Sequence, residues 1–124
     1  MATHEFPRTR RLTNAREYDA VFKQADYRAS VREFLLLAKK TDGQISRIGS
    51  VVSKKVAGNA IQRNRIRRLI KESFRTEFDK RFGYMGLDIV IVARPPVRYQ
   101  PNRETLDVLA GLWEQLAKKR QAQQ

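Results

Sequence analysis

Residues 60–75 read AIQRNRIRRLIKESFR, and no other stretch restricts the fold of this chain so strongly. Five arginines and a lysine share the stretch with a single acid, Glu72. Like charges three and four residues apart on a helix repel, so this segment is not self-supporting. At about 100° per residue, Gln62, Ile66, Leu69, Ile70, Ser73, Phe74 and Phe78 share one broad arc. Asn64, Arg67, Arg68, Lys71 and Arg75 gather on the other side, with Arg65 at its edge. The fold must therefore offer an apolar surface to the back of this helix and leave its cationic front outside.

The rest of the chain supplies that surface. The helix itself is predicted from Asn59 to about Phe82. Upstream, LTNAREYDAVFKQA has Thr13 or Asn14 as a cap, and Asn14 with Glu17 has capping-box spacing. Tyr18, Val21, Phe22 and Ala25 then fall on one helical face. REFLLLAK is too short and too evenly apolar for a surface helix and reads as a strand. KTDGQ is a turn, and RIGSVVSK a second strand expected to form a hairpin with the first. LDIVIVAR is apolar on both faces and therefore a central strand. PNRETLDVLAGLWEQLAKKR closes as a helix expected to be capped by Asn102, with Leu106, Leu109, Trp113 and Leu116 in one stripe. The order α-β-β-α-β-α predicts an α+β fold, helices packed on a small mixed sheet. Without a linker or repeat, residues 1–124 read as one domain, with 1–11 and 120–124 loosely held.

Charge narrows the partner. The 124 residues include 26 Lys or Arg against 13 Asp or Glu, a net charge of +13. Such a domain repels itself and attracts polyanions. Lys54, Lys55, Arg63, Arg65, Arg67, Arg68, Lys71 and Arg75 carry a local excess of seven over Glu72, more than half of the total. A merely solvated helix face mixes both signs. A membrane-surface helix exposes large apolar groups beside its cations, whereas here they are needed against the sheet. A helix-turn-helix on DNA needs a second helix just upstream, where a strand stands instead. Structured RNA is the best-matched partner, ahead of a solvated face, since its phosphates match guanidinium groups. No apolar run is long enough to span a bilayer, MATHEFPRTRR lacks a secretory apolar stretch, and cysteine is absent, so a soluble, cytoplasmic protein is expected.

Catalytic chemistry is hard to place in the chain. Its one histidine, His4, lies in the N-terminal tail, so no acid–base pair of histidines exists. Glu77 and Asp79 are two apart and point to different sides of a helix, Asp42 sits in a turn, and Asp88 alternates with apolar neighbours. No D-x-D, H-x-E or glycine-rich phosphate loop is present. No catalytic residue and no metal site is therefore expected.

SKK followed by RNRIRRLIKESFR resembles the signature of the bacterial ribonuclease P protein component. RRLTNAREYDAVFKQA, REFLLLAK, RIGSVVSKK and LDIVIVARP fit the same frame, and the resemblance spans roughly residues 10 to 117. It implies a ribosomal-protein-like α/β sandwich, with a left-handed βαβ crossover around the basic helix. A fourth, short strand would lie near Tyr27 to Ser30. It further implies an accessory subunit of an endoribonuclease, the partner of a catalytic RNA that removes the 5′ leader of precursor tRNA. One chain per RNA is expected, with a divalent metal such as magnesium serving the RNA. Lys54, Lys55, Arg63, Asn64, Arg65, Arg67, Arg68 and Arg75 would face that RNA, and Lys71 lies on the same front. Tyr18, Phe22 and Phe34 would line a cleft for the single-stranded leader, although Tyr18 and Phe22 alone have the spacing of ordinary core residues. Two positions depart from the family pattern that the resemblance implies. Tyr18 stands in place of Phe, and Leu37 stands where some members carry an aromatic. A ribosomal or ribosome-assembly protein would explain the arginines equally well, but needs no aromatic groove.

Overall fold

In the computed structural model, which describes residues 8–43, 45–82 and 85–122, a 3-10 turn (Arg8–Arg10) precedes α1 (Ala15–Gln24). Then follow β1 (Tyr27–Ser30), β2 (Phe34–Lys40) and β3 (Arg47–Val51). Next come α2 (Ala60–Ser73), a π-helical turn (Phe74–Phe78) and α3 (Asp79–Phe82). The chain ends with β4 (Leu87–Ala93), a 3-10 turn (Pro95–Val97) and α4 (Asn102–Ala122). The fold is α+β, with a mixed four-stranded sheet. The short strand implied by the family resemblance is present. With four residues, alanine and serine among them, it has too little pattern to be read from sequence alone.

The sheet order is β1-β2-β4-β3. β4 is central, as its two apolar faces require, antiparallel to β2 and parallel to β3. The hairpin expected between β2 and β3 therefore does not form, because β4 inserts between them. The turn still matters: Thr41 N–H donates to the Gly86 carbonyl at 3.1 Å. A Cβ at Gly86 would stand 2.0 Å from the Gly43 carbonyl oxygen, so this approach to β4 needs glycine. Since β3 and β4 are parallel neighbours, the segment carrying α2 is a crossover between them.

Strand alternation divides the core. Phe34, Leu36, Ala38, Ile48, Leu87, Ile89 and Ile91 face α2 and α4, where Ile66, Ile70, Phe74, Leu109, Trp113 and Leu116 are buried. On the other face Leu37 and Val90 meet Val21 of α1 and Leu12. Phe74, Phe78 and Phe82 stack at 4.8 and 4.5 Å, and Trp113 packs against the first two. Residues at i, i+4 and i+8 drift around an α-helix, and the wider π turn offsets that drift, keeping all three rings in the core. The helix predicted from Asn59 to Phe82 thus has the right extent but is not α-helical throughout. Trp113 Nε1 donates to Ser73 Oγ at 2.8 Å, which satisfies both buried polar groups.

The N-cap of α1 deviates slightly from a capping box. Asn14 Oδ1 accepts from Glu17 N–H at 3.0 Å, while the Glu17 carboxylate reaches back to Thr13 N–H at 2.8 Å, one residue earlier than the usual partner. The other Glu17 oxygen takes Arg47 Nη1 at 2.6 Å, and Arg47 also grips Asp88 with two bonds, at 2.9 and 2.8 Å. One guanidinium so ties α1 to β3 and β4.

Regular contacts reach into the described part of both terminal segments. Arg11 bridges to Ile48, with Leu12 N–H donating to the Ile48 carbonyl at 3.0 Å, and α4 continues to Ala122. Residues 1–7, including His4, and 123–124 lie outside the described residues. Asn102 is not the cap of α4. It is the first helical residue, and Thr105 N–H donates to the Pro101 carbonyl at 3.0 Å. Among the described residues no helix is long and apolar enough to cross a membrane.

Candidate nucleic-acid interface

The start of α2 is fixed by Asn59, whose Oδ1 accepts from Gln62 N–H at 2.8 Å. Beyond it the predicted division of the helix holds. Ile66, Leu69, Ile70 and Ser73 are buried, Asn64, Arg68 and Arg75 are exposed, and Arg67 and Lys71 are half-buried. Lys54 and Lys55 are exposed in a turn, since β3 ends at Val51 and not at Lys54 as predicted.

Glu72, four residues beyond Arg68, is the single acid on this helix, and among the described residues it is in no ion pair. Ion pairs between described residues join Arg32 to Glu33, Arg47 to Glu17 and Asp88, and Arg81 to Glu77 and Glu114. None of them involves a cation between Lys54 and Arg75.

The two arginines of the RNR triplet are turned inward. Arg63 Nη1 donates to the carbonyls of Ala57 and Gly58 at 3.0 and 3.1 Å. Arg65 donates to Gln62 Oε1 at 3.1 Å, to the Arg98 carbonyl at 3.1 Å and to Asn102 Oδ1 at 2.7 Å, with a longer contact to the Gln100 carbonyl. Sequence reasoning grouped these with the outward-facing cations. The structure gives them backbone partners, while Arg67 makes one side-chain bond, to Asn64 Oδ1 at 3.0 Å.

Beside α2 and the edge strand β3 lies an open cleft of about 400 Å³, lined among others by Arg11, Tyr18, Gly49, Ser50, Arg67 and Lys71. Among the described residues no carboxylate lines it. Burial, together with the charges of Arg11 and Arg67, holds the Lys71 ammonium below the usual lysine range. Three cations converging without a counter-charge favour an anion there. Arg11 was missed because it precedes the first predicted element and reaches the cleft only through its bridge to β3.

Tyr18 forms another wall. Its hydroxyl accepts from Ser50 N–H at 3.2 Å, and a Cβ at position 49 would fall 2.7 Å from its ring. Gly49 thus makes room for the aromatic. Phe22, one turn further along α1, is 46% exposed. Phe34 does not join them. It is fully buried on the opposite face of the sheet, because alternation along β2 sends residues 34, 36 and 38 toward α2 and α4. Leu37 does face α1 but is buried against Val21 and Val90, so its departure from the family pattern falls on a core position.

The model of the ribonuclease P family matches residues 6–117. A ribonuclease P protein component from Marinomonas sp. (strain MWYL1) is 42% identical over 119 residues, which cover 96% of this chain and 88% of the relative. One from Pseudomonas aeruginosa is 36% identical over 120 residues, 97% of this chain and 87% of the relative. The solved RNase P protein from Thermotoga maritima is similar with a TM-score of 0.69 at 28% identity, covering 84% of this chain and 96% of that one. The Staphylococcus aureus RNase P protein shares the fold at a TM-score of 0.75 and 24% identity, covering 85% and 93%. Because the match runs through the strand, turn and helix that carry the arginines, this chain belongs to the ribonuclease P protein family.

Proposed function

We propose that this chain is the protein subunit of a ribonuclease P whose catalytic centre lies in its RNA. It docks that RNA on the front of α2 and holds the 5′ leader of precursor tRNA near the cleft beside Tyr18. The observation that carries this reading is the cleft where Arg67 and Lys71 meet Arg11 and Tyr18, with no carboxylate among its described lining residues. Phosphates entering there relieve the mutual repulsion of the cations and release condensed counterions. Such contacts position RNA without reading its sequence, and the geometry is what an accessory subunit needs.

Among the described residues no three carboxylates or histidines gather, and Glu17, Asp88, Glu33 and Glu77 have cationic or amide partners of their own. Divalent ions of the magnesium class belong, in this reading, to the RNA phosphates, where they supply charge neutralisation. The chain contributes screening and alignment.

The test mixes the purified chain with precursor tRNA in the presence and absence of the cognate catalytic RNA. Cleavage by the pair, and at lower salt or metal demand than by RNA alone, is expected. Cleavage by the protein alone would overturn the reading.

A further inference from the structure

We propose that Tyr99, backed by Arg98 and held in position by Arg65, is a stacking shelf for an unpaired RNA base, apart from the cleft at Tyr18. The inference rests on the RNA-binding reading above and adds a second contact to it.

Tyr99 is 81% exposed although both of its surroundings in the chain are anchored. Val97 is fully buried, and Gln100 is buried with its amide bonded to Glu33 at 2.8 Å and to Thr105 at 2.8 Å. The turn between them closes through Arg98 N–H to the Pro95 carbonyl and Gln100 N–H to the Val97 carbonyl, at 3.0 and 3.1 Å. Arg65 reaches across from α2 and bonds the Arg98 carbonyl and the Asn102 side chain, on either side of Tyr99. A large aromatic left in water on so firmly held a backbone has little ordering entropy to lose when a flat ligand covers it.

The surroundings select the ligand. The Arg98 guanidinium lies 5.5 Å from the Tyr99 ring centroid, with its Nε donating to the Val56 carbonyl at 2.9 Å. A cavity of about 350 Å³ adjoins, lined by Ala57, Gly58, Asn59, Gln62, Arg98 and Tyr99. Its described lining holds amide groups and a guanidinium but no carboxylate and no second large apolar side chain. A protein partner would want a wider apolar patch. An aromatic ring beside a cation, on a chain of net charge +13, matches a base and its flanking phosphate. Arg65 is then a positioning residue: it holds the turn that presents the ring.

The full chain is irradiated with a short oligouridylate carrying 5-iodouridine, and adducts are mapped by mass spectrometry. Binding of the same probe is titrated at several salt concentrations for wild type, Tyr99→Ala, Tyr99→Phe, Arg65→Ala and Arg68→Ala. Expected are an adduct at Tyr99, a loss of about fivefold to a hundredfold in affinity for Tyr99→Ala with an unchanged salt slope, and near-normal binding by Tyr99→Phe. Arg65→Ala should lose the Tyr99 adduct while the ring itself is intact. Adducts only elsewhere, or full affinity in Tyr99→Ala while Arg68→Ala is impaired, would overturn the shelf and leave the RNA-binding reading standing. Full affinity in both variants would overturn the two together.

Discussion

Arg65 and Arg68 lie three residues apart on one helix, and their removal should do different things. Arg65→Ala takes a charged donor from the Arg98 carbonyl and from Asn102, and leaves the turn after β4 with unmet acceptors in a half-buried site. A bond from a charged donor is worth about 1.5–3 kcal/mol when its partner stays buried. Water reaches part of this site, so about 1–2 kcal/mol is the expected loss, or roughly 4–8 °C in Tm for a domain of this size. Arg68 is exposed and bonds to no described residue, so Arg68→Ala should change stability by less than about 0.5 kcal/mol. It should instead remove one phosphate contact and reduce the slope of log affinity against log salt by about 0.7–0.9. Thermal unfolding followed by circular dichroism gives the first quantity, and filter binding to the catalytic RNA at a series of salt concentrations gives the second. An unchanged Tm for Arg65→Ala would mean the clamp contributes nothing. An unchanged salt slope for Arg68→Ala would remove the front of α2 from the interface.

Three further outcomes follow from the packing. Glu17 is held below the usual carboxylate value of 4.5 by the Thr13 N–H and then by Arg47, burial opposing. Its folded pKa is the lower one, so its contribution is complete above about pH 4.5 and fades as pH falls through the folded value; urea unfolding across acid pH should show a flatter acid limb for Glu17→Gln, and an identical limb would refute the linkage. Gly49→Ala should cost about 1–3 kcal/mol, since its Cβ would stand 2.7 Å from the Tyr18 ring. Adding Tyr18→Ala should recover part of that cost, and strict additivity in the double-mutant cycle would deny the contact. Ile70→Asp, at a fully buried position, should abolish cooperative unfolding because it buries an unpaired charge; a folded variant by circular dichroism would mean the helix is wrongly phased.

Local pattern carried most of the fold, and long-range pairing carried what pattern missed. The apolar stripe of α2 and the doubly apolar β4 were legible because burial on one face or two leaves a periodic trace. The partner of β3 was not, since an Asp42-Gly43 turn suits a hairpin and nothing in RIGSV announces that β4 will intervene. Phe34 was misplaced for a related reason. A run of apolar residues such as FLLLA has no polar member to tell which alternation faces which layer. Of the cationic positions, the flank itself was readable from spacing, while the inward turn of Arg63 and Arg65 depends on carbonyls, for Arg65 more than thirty residues away. The one available hint of the π turn was Phe74, Phe78 and Phe82, which an unbroken α-helix would let drift apart.

That inward turn changes how the arginine-rich stretch works. A row of equivalent phosphate ligands would gain from every cation pointing outward, yet it would also carry the full repulsion of all of them in the free chain. Here Arg63 and Arg65 meet backbone carbonyls, which are partial negative charges, and in doing so they shape the turns at Ala57–Gly58 and Arg98–Asn102. Four of the acids are engaged elsewhere: Arg47 holds Glu17 and Asp88 on the α1 side, and Arg81 holds Glu77 and Glu114 near the far end of the helix. Arg67, Arg68 and Lys71 are in no ion pair with a described carboxylate, and in the proposed docking their repulsion is the term that a phosphate backbone would cancel. Ligands that bind only the folded state raise its stability in proportion to the logarithm of their concentration. Addition of catalytic RNA should therefore raise the Tm of the wild-type chain more than that of Arg67→Glu, and an equal rise would show that the tension sits elsewhere.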